Sequence, residues 1–155
     1  MINYSQAKKI LIKYIKDPKV IKHSQGVSNF AFKLAKRISQ NHPELKINKE
    51  KVRIAALLHD IGKEYDEGHE KRTLKILQKE GLKEIAKIST HGLLYLKKIK
   101  KKIKNNSTKE IENKIVVYSD LRYKFSPVTL KERVEEAKTG WKGTTKEINS
   151  KGKYV

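Results

Sequence analysis

Residues 52–61 read Val-Arg-Ile-Ala-Ala-Leu-Leu-His-Asp-Ile. Val52, Ile54, Ala55, Ala56, Leu57, Leu58 and Ile61 cover most of the circumference of a helix. A helix that is apolar on nearly every side has to be enclosed by other elements. The rest of the chain must therefore wrap around this segment. The apolar run stops at His59-Asp60, and Gly62-Lys63 follows at once. A carboxylate closing an enclosed helix is costly unless something pairs with it. The simplest account is a helix end whose polar residues reach water before Gly62 stops it. Residues elsewhere in the chain weigh against that account.

Nearly every other segment shows helical spacing and almost none shows strict alternation, so the expected fold class is all-α, a bundle of six or seven helices. Ser5 to Lys16 carries Ala7, Ile10, Leu11, Tyr14 and Ile15 on one face. Asp17-Pro18 supplies a cap and a first turn for a helix reaching about Gln40. Its apolar face is Val20, Val27, Phe30, Leu34 and Ile38, and His23 sits on that face. His42 precedes Pro43 in a polar loop and is expected at the surface, and Asn48 caps the enclosed helix. A helix from about His69 to Glu80 turns Thr73, Ile76 and Leu77 inward. The next, Leu82 to about Ser89, turns Leu82, Ile85 and Ile88 inward, and His91 continues that face. Asn105 to Thr108 reads as loop and cap, before Ile111, Ile115, Val116 and Val117 lead into Asp120 on the same side. Thr129 to Lys138 reads as a last, exposed helix. Residues 1–138 form one domain in this reading, and 139–155 a flexible tail that Trp141 could pin.

The absence of cysteine rules out disulfides, thiolate metal sites and cysteine nucleophiles. No stretch has the length of a membrane span and no signal-peptide pattern opens the chain, so a cytoplasmic protein with no membrane partner is expected. The net charge of +20, from 37 basic and 17 acidic residues, should attract phosphate-bearing partners and makes nucleic acid a candidate. Most of the basic residues are Lys in an Ile- and Asn-rich chain, the usage an AT-rich genome produces, which weakens that inference. Lys97 to Lys104 is either a polyanion-binding strip or a solvated helix face.

The inward polar residues are His23, His59, Asp60, His69, His91 and Asp120. Buried without partners they would cost several kcal/mol, and a metal site removes that cost. Imidazole with carboxylate suits Mn, Fe, Ni, Co, Zn or Mg, and the residues do not choose among them. The order His23, His59-Asp60, Asp120 resembles the HD superfamily of metal-dependent phosphohydrolases, and His59-Asp60-Ile61-Gly62-Lys63 is similar to its HDIG form. Gly68-His69-Glu70 and Ile88 to Gly92 resemble the two extra histidines of members with a second metal. Ile115 to Arg122 resembles the closing helix, and the resemblance spans about Lys19 to Arg133.

What it implies is a divalent-metal phosphohydrolase acting on a nucleotide or another small phosphorylated metabolite, with one or two ions per chain. With two ions, Asp60 is the natural bridge. With one, His23, His59, Asp60 and Asp120 bind it, and His69 and His91 contact phosphate or move protons. Catalysis would centre on Asp60 and Lys63, with Lys63 and Arg122 as phosphate clamps beside Tyr123 and Lys124. Glu64 and Asp66 are further acid candidates. Two rival readings are a phosphodiesterase for RNA or a cyclic nucleotide, and a non-catalytic, metal-stabilised module that binds nucleotides or nucleic acid. Oligomeric state is not legible.

Overall fold

A computed structural model of the chain describes residues 2–64, 68–92, 95 and 107–138. Over these residues it is all-α, with no strand. The helices are α1 (Tyr4–Tyr14), α2 (Pro18–Asn41), α3 (Lys49–Leu58), α4 (His69–Lys79), α5 (Lys83–Ile88), α6 (Thr108–Arg122) and α7 (Leu130–Lys138). A single 3-10 turn, Pro43–Leu45, joins α2 to α3. The Lys97–Lys104 run, Asp66 and Trp141 lie outside the described residues. Among the described residues no helix is long and apolar enough to cross a membrane.

Local signals place the helix starts. Asn3 accepts from the Gln6 amide, and the Gln6 side chain returns the bond in a capping box, so α1 begins earlier than Ser5. Asp17 accepts from the Lys19 amide ahead of Pro18, and Asn48 accepts from the Lys51 amide. Ser107 caps α6. His42 is exposed, beside Glu44.

Helix α3 is the axis. Val52 and Ile54 to Leu58 are buried, and Ile61 continues the same core just beyond the helix end. Helices α1, α2, α5 and α6 pack around it, and α6 also touches α2 and α5. Each fully buried Leu or Ile contributes about 1.5–3 kcal/mol. The one charged residue inside this stretch, Arg53, lays its guanidinium over the rings of Tyr4 and Phe32, 3.9 and 4.9 Å from their centroids.

One ion pair locks the wrapping. Glu112 of α6 is only 2 % exposed. It accepts from the Asn48 backbone amide at 2.9 Å and from Lys51 Nζ at 2.8 Å, so α6 caps the start of α3. Removing one partner of a buried pair strands the other charge. Glu112→Ala should lower unfolding stability by about 3 kcal/mol in denaturant titration. A loss within about 0.5 kcal/mol, the range of ordinary surface substitutions, would show that the pair does not couple α3 to α6.

Candidate metal centre

Helix α3 ends at Leu58, and His59 to Glu64 form turns. Gly62 is the reason the next element can sit so close. A Cβ there would lie 2.5 Å from the His69 carbonyl oxygen and 2.6 Å from the Thr73 amide nitrogen, both backbone atoms of α4. Gly62 also donates its amide to Thr73 Oγ1 at 3.0 Å. Its role is therefore to admit α4, not to supply a left-handed turn. That contact brings His69, the first residue of α4, to the end of α3.

The other ligand-type residues arrive the same way, on separate elements. His23 comes from the first half of α2 and Asp120 from the last turn of α6. His91 follows α5, in a segment held by Asn113, whose side-chain amide donates to the carbonyls of Ile88 and Thr90 at 2.9 and 2.7 Å. All six sequence-predicted ligands are thus brought together.

They form two sets around one carboxylate. His23, His59 and Asp120 offer ligand atoms within 4.8 Å of one another, and so do Asp60, His69 and His91. Asp60 Oδ2 faces the first set, 3.6 Å from His59 Nε2 and 3.9 Å from His23 Nε2. Asp60 Oδ1 faces the second set, 3.2 Å from His91 Nε2 and 3.9 Å from His69 Nε2. Asp120 Oδ1 lies 3.1 Å from His23 Nε2 and 3.4 Å from His59 Nε2.

Three of the histidines are oriented from behind. Nδ1 of His23, His59 and His91 meets the carbonyls of Lys124, Ala56 and Ser89 at 2.8, 2.7 and 3.1 Å. A carbonyl only accepts, so Nδ1 carries the proton and Nε2 turns its lone pair to the centre, the usual arrangement of a metal-binding imidazole. Nε2 of His59 and His91 is buried and makes no hydrogen bond. Two buried nitrogens without a bond, facing two carboxylates, fit a divalent cation.

The electrostatics agree. Burial opposes ionisation of Asp60, yet His59, His91 and Lys63 hold its carboxyl well below the usual range. Burial likewise opposes the charge on Asp120, and His59 and His23 pull its carboxyl down. His91 is pushed up to about 9, because Asp60 outweighs its desolvation. Burial works against the charge on His23 too, but Asp120 raises it. His69 goes the other way, lowered by burial. Without an ion, protons on imidazole therefore balance the two carboxylates, and a divalent cation would take their place.

Lys63 stands at the rim, its Nζ 2.9 Å from Asp60 Oδ2. The expectation for Arg122 fares differently. Two residues on from Asp120 is about 200° around a helix. Arg122 donates from Nε to the Val128 carbonyl and from a terminal nitrogen to the Tyr118 hydroxyl, both at 2.6 Å. Glu64 is not at the ligands. It accepts from the backbone amides of Lys16 and Asp17 and ties the α1–α2 link. Tyr123 does border the centre, its ring centroid 6.4 Å from that of His23.

The sequence reading missed Arg133. It lies on α7, expected to be wholly exposed, but it is buried and close enough to Lys63 to oppose that charge. Its terminal nitrogen meets Glu136 at 2.8 Å, and Glu136 also pairs with Lys124, whose carbonyl orients His23. The available signal was chemical: Arg133 is one of five arginines in a lysine-rich chain.

If the two sets hold one ion each, elemental analysis should find about two ions per chain in the native protein and about one in His91→Ala. One ion in both proteins would show that His69 and His91 do not form a site of their own.

No curated protein and no solved structure matches the chain. The HD domain family matches residues 20–133, a span that contains all six ligand-type residues. The chain therefore belongs to the HD domain family, whose members are in general metal-dependent phosphohydrolases.

Proposed function

We propose that this protein is a metal-dependent phosphohydrolase that cleaves a phosphate ester in a nucleotide or another small phosphorylated metabolite. The observation that carries this reading is Asp60. Its two oxygens face two separate histidine sets, an arrangement suited to a carboxylate shared between cations. His23, His59, Asp60 and Asp120 would hold one ion, and Asp60, His69 and His91 a second. A divalent ion held there would lower the pKa of water toward about 7 and offset negative charge on a phosphoryl group.

The chain's own residues supply the rest. The carbonyls of Ala56, Ser89 and Lys124 fix three imidazole rings before any ligand arrives, so little reorganisation is needed at the centre. Burial around His59 and Asp60 lowers the local dielectric, so charges at the centre interact more strongly than they would in water. Lys63 is anchored on Asp60 with its ammonium near the rim, where it can hold a phosphate oxygen and offset charge developing during attack. Burial works to discharge this lysine, but Asp60 dominates and raises its pKa, so the clamp stays charged at neutral pH.

The rival is a non-catalytic module that binds nucleotides or nucleic acid around a structural metal. Turnover decides between them. Protein reconstituted with Mn²⁺, Ni²⁺ or Co²⁺ should hydrolyse chromogenic phosphomonoesters or phosphodiesters. Absence of turnover on any phosphate ester, with metal bound, would favour the module.

Two variants test the residue roles. Asp60→Ala should lose both bound metal and hydrolysis while its helical circular dichroism persists, and full metal occupancy would sink the assignment. Lys63→Ala should keep its metal but lose about 10²-fold in kcat/KM. An unchanged kcat/KM would remove Lys63 from the phosphate.

A further inference from the structure

Helix α2 carries more than His23. Its 24 residues include Lys19, Lys22, Lys33, Lys36 and Arg37 and no carboxylate. Every helix from α3 to α7 carries at least one. All five cations are exposed, and among the described residues none of them has a carboxylate partner. At about 100° per residue they fall within roughly a third of the helix circumference, a stripe about 27 Å long. It lies opposite the buried face of Val27, Ala31 and Ala35. Genome-driven lysine usage spreads cations over the chain, but it does not gather unpaired ones on one arc.

An aromatic loop rests on the same helix. The Tyr123 ring lies so close over Gly26 that a Cβ there would be 1.9 Å from a ring carbon. Tyr123, which opens the loop closed by its bridge to Pro127, therefore rests on α2 between Lys22 and Lys33. Phe125 in that loop is 52 % exposed. The residue before it, Lys124, is the one whose carbonyl orients His23. Unpaired cations, the loop that carries Phe125 and the candidate metal centre thus all adjoin α2.

We propose that this face of α2, with Phe125, binds single-stranded nucleic acid and presents its phosphodiester to the centre beside His23. Cations that track a backbone and aromatic rings that take bases are the two parts of a sequence-tolerant single-strand site. An anionic membrane would use the cations, but it has no base to stack on Phe125 and no need of a neighbouring phosphoester site. The binding stands without the phosphohydrolase reading. Only the fate of the bound strand rests on it.

Fluorescence anisotropy of the full chain with a labelled oligo-uridine tests the proposal. Native protein should bind, and more weakly as salt rises. The variant Lys22→Glu, Lys33→Glu, Lys36→Glu should lose at least about tenfold in affinity, with a shallower salt slope by about 0.7 per phosphate contact removed. Phe125→Ala should lose about tenfold with the slope kept. A charge-matched control on α4, Lys71→Glu, Lys75→Glu, Lys79→Glu, should stay within about twofold if the contact is local. An equal loss in the control, no binding by the native protein, or tighter binding to phosphatidylserine vesicles than to the oligonucleotide would each overturn it. Metal content and turnover of a small chromogenic ester report on the centre alone, and the α2 variant should keep both. A native protein that hydrolyses such esters but ignores the oligonucleotide refutes this inference and leaves the proposed function standing. Oligonucleotide binding in this pattern without ester turnover supports the inference and refutes that function.

Discussion

A carboxylate with almost no access to water has to be met by positive charge, and Asp60 is met from every side. It is 3 % exposed, with His59, His91, His23 and His69 about its two oxygens and Lys63 at the rim. The fold can be understood as the set of packings that delivers those groups to one point. α3 ends there, α4 begins there, the segment after α5 passes by, and α2 and α6 contribute one ligand each. Because His23, His69, His91 and Asp120 arrive on four elements other than α3, the centre forms only when those elements are packed about its end.

Placement alone would not aim the rings. Imidazole has two nitrogens, and only the hydrogen bond on one decides what the other offers. Here that bond goes to main-chain carbonyls, two of them near helix ends, where carbonyls have no intrahelical partner. The third belongs to Lys124, in the tight loop between α6 and α7. The ends of helices thus do two jobs: they deliver the ligands and supply the acceptors that orient them. Asn113 extends the principle by holding the carbonyls of Ile88 and Thr90 just before His91.

The ligands could be read in the sequence because each breaks an apolar helical face, and a polar residue at such a position requires a partner. His23, His91 and Asp120 all follow from periodicity, and His59-Asp60 from the abrupt end of the run in α3. Residues defined by approach between elements were not legible. Gly62 looked like a helix stop, but its missing side chain makes room for the α4 backbone. Arg122 looked like a neighbour of Asp120, but closeness in sequence is not closeness in space when two residues turn a helix by about 200°. Arg133 went unnoticed because its helix has too few apolar residues to reveal a buried side.

The dependence of centre on fold does not run equally in reverse. Many small metal-binding domains lack a core and fold only when the ion binds. This chain encloses α3 with a continuous core of buried Leu, Ile and Val side chains. Its two central carboxylates have imidazole protons to balance them when no ion is bound, His91 above all. Burial of apolar surface therefore sets the helices, while charge balance at Asp60 and Asp120 sets the centre. A cation exchanging with those protons changes the second without being required for the first. That separation makes the ligand residues open to substitution by experiment: replacing one removes a donor from the centre while the apolar packing that holds the other five in place remains.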